Sequence, residues 1–473
     1  MLSGGIAMKW LRWLLDTEIV SQETSARIAR ALHLKAVGRA YLLAMRVLLV
    51  LVAIGFVWLH IGGPRSHEFE QDPVAYYDRL YAAAGENAAP YYEAAAEIFV
   101  DDHNCRWGVE DLFSDAWDEY TWAEAANWLE LNQACVDLLL KATSVEPCRF
   151  RVVLDDKIGW LCTRPPSTAY RGMAHLLAVD ARVACERWGL DAYAARVVAI
   201  DTMGRHRMEQ HGVIDALSGM VLVSFAHDLA VAPLARGMVP VERLSSYARE
   251  LASVLRPLPT MRAAYEGDYR DSGWLLGGSI PEGIEGWWVA VMMPPARIQG
   301  ERARRRDTWV RWGELPPEQQ FDPANATYQL LLKRKDFEPS RWNPLNWMSL
   351  LIFDMLDVSF LRAQKFWVQA VTRQRASGLI LAAHEHRAET GSWPLRLDEL
   401  GYRTEPALVT DPFSGKLFCY RTMGEGFILY SAGVDRDDDG GRHSRSWGRY
   451  PPDDVDDENW QPDGDYVFWP VQW

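Results

Sequence analysis

The sequence predicts a mainly α protein: a single transmembrane helix, an all-helical array, and then a small α+β domain with an antiparallel sheet. Three observations predict it. An unbroken apolar stretch lies near the N-terminus, Ala- and Leu-rich periodic runs punctuated by Gly and Pro continue to residue 256, and two short alternating runs follow residue 416. With 49% hydrophobic and 24% charged residues, the 473-residue chain has ample core material and is longer than one core usually organises, so two folded units are expected beyond the anchor. A formal charge of -14 argues against nucleic acid, whose phosphates need clustered Lys and Arg, and points to cations as partners. The charge is uneven. Residues 401–473 hold 14 Asp and Glu against 7 Lys and Arg, whereas residues 1–46 hold 7 Lys and Arg against 3 acids, so the two ends suit different compartments.

Val47–Ile61 reads VLLVLVAIGFVWLHI, and the predicted span, residues 41–62, makes roughly 33 Å of helix at ~1.5 Å per residue. Arg46 sits where a long side chain snorkels to headgroups, and Trp58 and His60 mark the other interface. The preceding flank carries Arg27, Arg30, Lys35 and Arg39, which places residues 1–40 on the cytoplasmic side and the bulk of the chain beyond the membrane. No A-x-A cleavage site follows Ile61, and Ile6–Leu15 interleaves Trp and Leu with Lys9 and Arg12, as a short interfacial helix does. All six Cys follow the span, where disulfides are permitted; no CxxC spacing suggests zinc, and buried thiols satisfy the composition equally well.

Residues 65–256 read as the helical array. Asp72-Pro73 and Gly85 bracket a first helix, Thr121 and Glu124 form a T-x-x-E capping box ahead of 125–140, and periodic runs follow at 168–187, 190–210, 213–236 and 240–256. Short connectors predict antiparallel neighbours, in an arrangement open to a solenoid although no strict repeat period is visible. This region, with Cys105-Arg-Trp107 and Cys148-Arg-Phe150, resembles helical domains of uncharacterised bacterial membrane proteins.

Residues 257–345 are rich in Gly, Pro and Trp and are expected to wrap or cap the helices, with Arg302–Arg306 on a solvated face. Glu266, Asp268, Asp271, Glu282 and Glu285 lie among Tyr265, Tyr269, Trp274, Trp287 and Trp288, a mixture that glycan-cleaving sites also use. Capping and helix packing explain the same residues. His384 and His386 point about 200° apart on a helix and cannot chelate one ion, so an exposed polar face is expected there. No nucleophile elbow or phosphate loop is present in the sequence.

Residues 346–473 form the last module. A long amphipathic helix over 358–388 is broken by Gly391; a short helix, Pro394–Leu400, follows; then come the turn Asp411-Pro-Phe-Ser-Gly-Lys416 and strands at Leu417–Arg421 and Gly426–Ser431. The order of Gly391-Ser-Trp-Pro394, Asp411-Pro-Phe-Ser-Gly415, Tyr430-Ser-Ala-Gly433 and an acidic loop ending near a Trp resembles the globular domain of the major pseudopilin of type II secretion. The chain departs from that family in two ways: Gly38 is followed by Arg-Ala-Tyr-Leu-Leu, without the Glu of a prepilin-peptidase site, and the whole array separates the span from the helix. The resemblance therefore implies the fold and the metal binding, not polymerisation.

Asp435-Arg-Asp437-Asp-Asp439-Gly440 satisfies D-x-D-x-D-G, in which alternate carboxylates converge on calcium and Gly permits a sharp turn. Position twelve is Ser446, so this is no EF-hand, and a closing carboxylate must come from elsewhere. The resemblance places Asp435 at the entry to the metal loop and supplies Asp463 or Asp465 as the second acidic pair; Asp453, Asp454, Asp456 and Asp457 compete with them. A solvated acidic loop is the alternative. The expected function is that of a non-enzymatic scaffold or interaction protein of the bacterial inner membrane, with its bulk periplasmic and with a calcium-binding pseudopilin-like domain. Its partners would be other envelope proteins or a second copy of itself. The competing expectation is an envelope glycan-active hydrolase using carboxylates in 261–290.

Overall fold

A computed structural model describes residues 73–101, 112, 117, 119–155, 160–278, 295–335, 347–400, 406–444, 460–461 and 464–470. The expected span at 41–62, the interfacial segment 6–15, Glu282, Glu285, Trp287, Trp288, Asp453–Asp457 and Asp463 lie outside them. All the described residues except Pro295 and Ala296 belong to one compact unit, Ser66–Met293 with Arg297–Trp473.

That unit is mainly helical, as the periodicity predicts. Helices α1 (Pro73–Ala83), α2 (Ala89–Ile98), α3 (Glu119–Leu131) and α4 (Gln133–Thr143) precede three long ones: α5 (Ser167–Trp188), α6 (Leu190–Met208) and α7 (Val213–Ala235). Gly189, at φ +88°, turns α5 into α6 with its N–H on the Cys185 carbonyl. Where α6 and α7 cross, Gly204 faces Gly219; a Cβ on Gly204 would stand 2.8 Å from the Gly219 carbonyl oxygen, so only paired glycines allow this approach.

Of the described helices, α7 is long and apolar enough to cross a membrane. It is also the central helix of the unit, packed between α6 and the later helix α13 (Trp347–Thr390), with Asp215 and His227 buried along it. Its apolar surface is therefore spent on the protein core, and the span expected from the sequence stays with residues 41–62.

Several local expectations are corrected. The T-x-x-E box does not start a helix, because α3 already begins at Glu119; the break falls at Asn132, whose side chain instead bonds Val100 and the Trp128 carbonyl. A hairpin, β1 (Val152–Asp155) with β2 (Trp160–Thr163), interrupts the helical array; strands of four residues are too short to show a period in the sequence. Helix α8 (Leu244–Glu250) precedes 257–345, and the described part of that segment holds α9 (Arg262–Gly278), α10 (Pro295–Gly313), α11 (Pro317–Gln320) and α12 (Ala326–Lys335). The basic run is not wholly solvated either. Arg305 is buried, 2.6 Å from Asp357, which also takes the Trp309 indole N–H.

The long C-terminal helix, α13, starts earlier than its amphipathic pattern suggests and ends at Gly391, φ +77°. Its C-terminal half lies against an antiparallel sheet ordered β3 (Cys419–Met423), β4 (Gly426–Ser431), β7 (Tyr466–Trp469). The Asp411 turn is closed as the sequence predicts, by Asp411 N–H to the Lys416 carbonyl at 2.7 Å and by the Ser431 hydroxyl to Asp411 at 2.8 Å. A separate two-residue pair, β5 (His443–Ser444) with β6 (Trp460–Gln461), is parallel. His384 is not on an exposed polar face: it packs edge-on against Trp393 and Trp469, with centroids at 4.9 and 5.1 Å. Burial lowers its pKa to about 4.

Candidate functional site

The expected metal loop leaves β4 and returns through β7. Arg436, Gly440 and Gly441 take positive φ, which folds 435–441 back over the sheet. Asp435 accepts the Asp437 N–H at 3.4 Å, and both residues are exposed. Asp438, absent from the alternating motif, accepts the Tyr430 hydroxyl at 2.8 Å and the Gly440 N–H at 3.0 Å.

Asp465 stands apart. It is fully buried, its Oδ2 accepts the Gly441 N–H at 2.7 Å, and its Oδ1 is buried with no hydrogen-bond partner. Burial raises its pKa to about 7; the N–H groups of Gly441 and Asp439 oppose the shift, and the charges of Asp438 and Asp439 add to it. A carboxylate with one empty oxygen beside two further acids suits an all-oxygen cation shell. Among the described residues, however, no three His, Cys, Asp or Glu side chains gather closely enough to hold an ion. Asp435, Asp437 and Asp439 are therefore not drawn together on Asp465, and Asp463 lies outside the described residues.

The carboxylates of the aromatic segment have structural occupations. Glu266 pairs with Arg262 at 2.9 Å, one turn away on α9. Gly267 lies directly on the His211 carbonyl, where any Cβ would collide, so α9 presses against the α6–α7 turn. That contact brings Asp268 to the start of α7, where it accepts the Val213 N–H at 3.1 Å. Asp271 accepts the Tyr77 hydroxyl at 3.0 Å and lies 3.4 Å from His211 Nε2.

These groups form a buried acid cluster that sequence separation hid. Asp215, the third acid, is held by Arg207 at 2.6 Å and by the Thr163 hydroxyl. Burial raises Asp268 to about 8, helped by Asp271 and Asp215 against the Val213 N–H. Burial likewise raises Asp271 to about 7, opposed by Tyr77 and Arg270. It lowers His211 to about 4. Near neutral pH, then, a neutral His211 imidazole lies beside an Asp271 carboxyl close to the midpoint of its titration, so their 3.4 Å contact is not a full ion pair. The side chain of Trp274 lies outside the described residues, as do Trp287 and Trp288.

Two cavities flank the Arg256–Leu258 stretch. The larger, about 990 Å³, runs between Trp367–Leu381 of α13 and residues 245–260; the smaller, about 590 Å³, is lined by His206, Glu209 and Glu146. Comparison with family models, with curated proteins and with solved structures found no match to this chain.

Proposed function

We propose that the protein is a membrane-anchored, non-enzymatic envelope protein whose helical body and pseudopilin-like, calcium-binding C-terminal module serve protein contacts in secretion or surface assembly. The observation that supports this most directly is the employment of the would-be catalytic acids. Glu266 is tied to an arginine and Asp268 to a helix end, as scaffold residues are. Anchoring rests on residues 41–62 and their cationic flank. A phosphatase fused after residue 70 is expected to be active; activity only from a cytosolic reporter at that position would overturn the topology.

Calcium binding is supported by the empty, buried Oδ1 of Asp465 beside Asp438 and Asp439. Asp435, Asp437, Asp439, Asp463 and Asp465 are the ligand candidates, completed by loop carbonyls and water. A cation there would relieve like-charge repulsion and stabilise the folded state by mass action. Calorimetry of the full chain should show a higher Tm in calcium than in chelator, and Asp465→Asn should abolish the difference. Identical curves, with no ion bound on titration, remove the site.

A second reading, the glycan-active hydrolase, is favoured by one observation: burial raises Asp268 and Asp271 to about 8 and about 7, so both can carry a proton near neutral pH beside Asp215 and His211. A glycan-cleaving activity that disappears in Asp268→Asn while the fold persists would replace the scaffold reading.

A further inference from the structure

Helix α6 carries three consecutive polar residues, Arg205-His206-Arg207, and all three are buried. Successive helical side chains diverge by about 100°, so each enters different surroundings. Arg205 binds the carbonyls around Arg256, and Arg207 binds the Pro165 carbonyl and Asp215. His206 faces the 590 Å³ cavity.

Its Nδ1 lies 3.0 Å from the Tyr92 hydroxyl. The neighbouring Tyr170 hydroxyl donates to the Met203 carbonyl, and we direct the Tyr92 hydroxyl proton at Nδ1. In that tautomer the imidazole hydrogen is on Nε2. That atom is buried and has no partner, on a residue only 3% exposed. Burial, with Arg149 and Arg256, holds the ring pKa near 4, so the ring is neutral and presents one N–H. A buried donor left unpaired is costly, and a ligand oxygen would recover that cost.

The rest of the wall offers both signs of charge. Arg256 lies 3.8 Å from Glu146, and Glu209 lines the same wall with Arg149 3.7 Å away behind it. Leu258 and the prolines beside it supply an apolar face.

The geometry points to a binding site for a small zwitterion of the amino-acid class, its carboxylate on His206 Nε2–H and Arg256 and its ammonium on Glu209 and Glu146. The zwitterion is either a free α-amino acid or a very short peptide, and the volume accommodates both.

Isothermal titration of the full-length chain in detergent tests this with the proteinogenic L-amino acids and Ala-Ala-Ala, each also N-acetylated or amidated. At least one zwitterion should bind, and blocking either end should weaken it about tenfold or more, the loss expected of one charged hydrogen bond. Preference for free amino acids over the tripeptide, or the reverse, identifies the source. Glu209→Gln and Arg256→Ala change exposed side chains, so the fold should survive, as an unshifted melting curve would show, while binding falls by a similar factor. Silence from every probe at millimolar concentration, equal binding of blocked ligands, or full binding by both variants would overturn the site.

Discussion

Arg205→Met should cost about 3–5 kcal/mol of stability, because it removes one partner of a buried ion pair and strands the other. The guanidinium is nearly inaccessible, and each of its nitrogens donates: it holds Asp201 at 2.6 Å, the Pro257 carbonyl at 2.8 Å, the Val254 carbonyl at 3.0 Å and the Arg256 carbonyl at 2.7 Å. One side chain thereby pins the segment entering α9 onto α6. Without it, Asp201 keeps only the weaker field of Arg256 against the burial that already raises its pKa to about 6, and its Oδ1 has no partner to fall back on. The aspartate would then take up a proton, so the loss should be smaller at pH 5 than at pH 8. Urea denaturation at both values measures this, and replacing the pair together, with Asp201→Leu added, should recover part of the loss. A single-variant loss below about 1 kcal/mol would mean that the segment is held by its apolar contacts instead.

That anchoring shows what the sequence could and could not convey. Helices α5, α6 and α7 were legible because Pro166, Gly189 and Gly212 punctuate them, and backbone restriction at such residues is local. The start of α13 was not, since Trp347–Leu356 is nearly all apolar and has no polar face to reveal a period. The acid cluster was illegible for another reason: Asp215 and Asp268 are brought together by Gly267 on the His211 carbonyl, a tertiary contact with no sequence signature. A signal did exist for His206. Three adjacent polar residues in a helix that packs against neighbours on two sides cannot all face solvent, because their directions span about 200°, so at least one must point inward. The acidic C-terminal loop was legible as a cluster of charges, but Asp438, which the alternating pattern passes over, contributes to the electrostatics at Asp465 more plainly than Asp435 does.

Stability should fall as the pH rises from about 6.5 to 8, and Asp268→Asn with Asp271→Asn should remove most of that fall. Both acids have folded pKa values above the ordinary carboxylate range, about 8 and about 7, so the folded state binds protons that the unfolded chain has released. Their stabilisation is complete below pH 4 and is lost as the pH climbs through the folded values. His211 works in the opposite sense. Its folded pKa, about 4, lies below the unfolded value, so its contribution is present above about 6.5 and is lost only on acidification. Above pH 6.5 the histidine is therefore silent, and each carboxyl still protonated adds about 1.4 kcal/mol per pH unit to the slope; the pair supplies about 2–3 kcal/mol by pH 8, and Asp465, also raised to about 7, adds a smaller share. The two substitutions preserve the shape of the site, since the amide oxygen that replaces the Asp268 carboxylate can still accept the Val213 N–H, and the one that replaces the Asp271 carboxylate can still accept the Tyr77 hydroxyl. Neither amide needs to be desolvated as an anion. The helix dipole at the start of α7 would favour an ionised Asp268, by roughly 0.3–1 kcal/mol, but that is too little to offset burial beside two other carboxyl groups. Chemical denaturation of both proteins at pH 6.5 and pH 8 decides the matter: parallel losses in the two would place these protons elsewhere, whereas a double variant that keeps only the small slope left to Asp465 would assign them to the cluster that joins α9 to the head of α7.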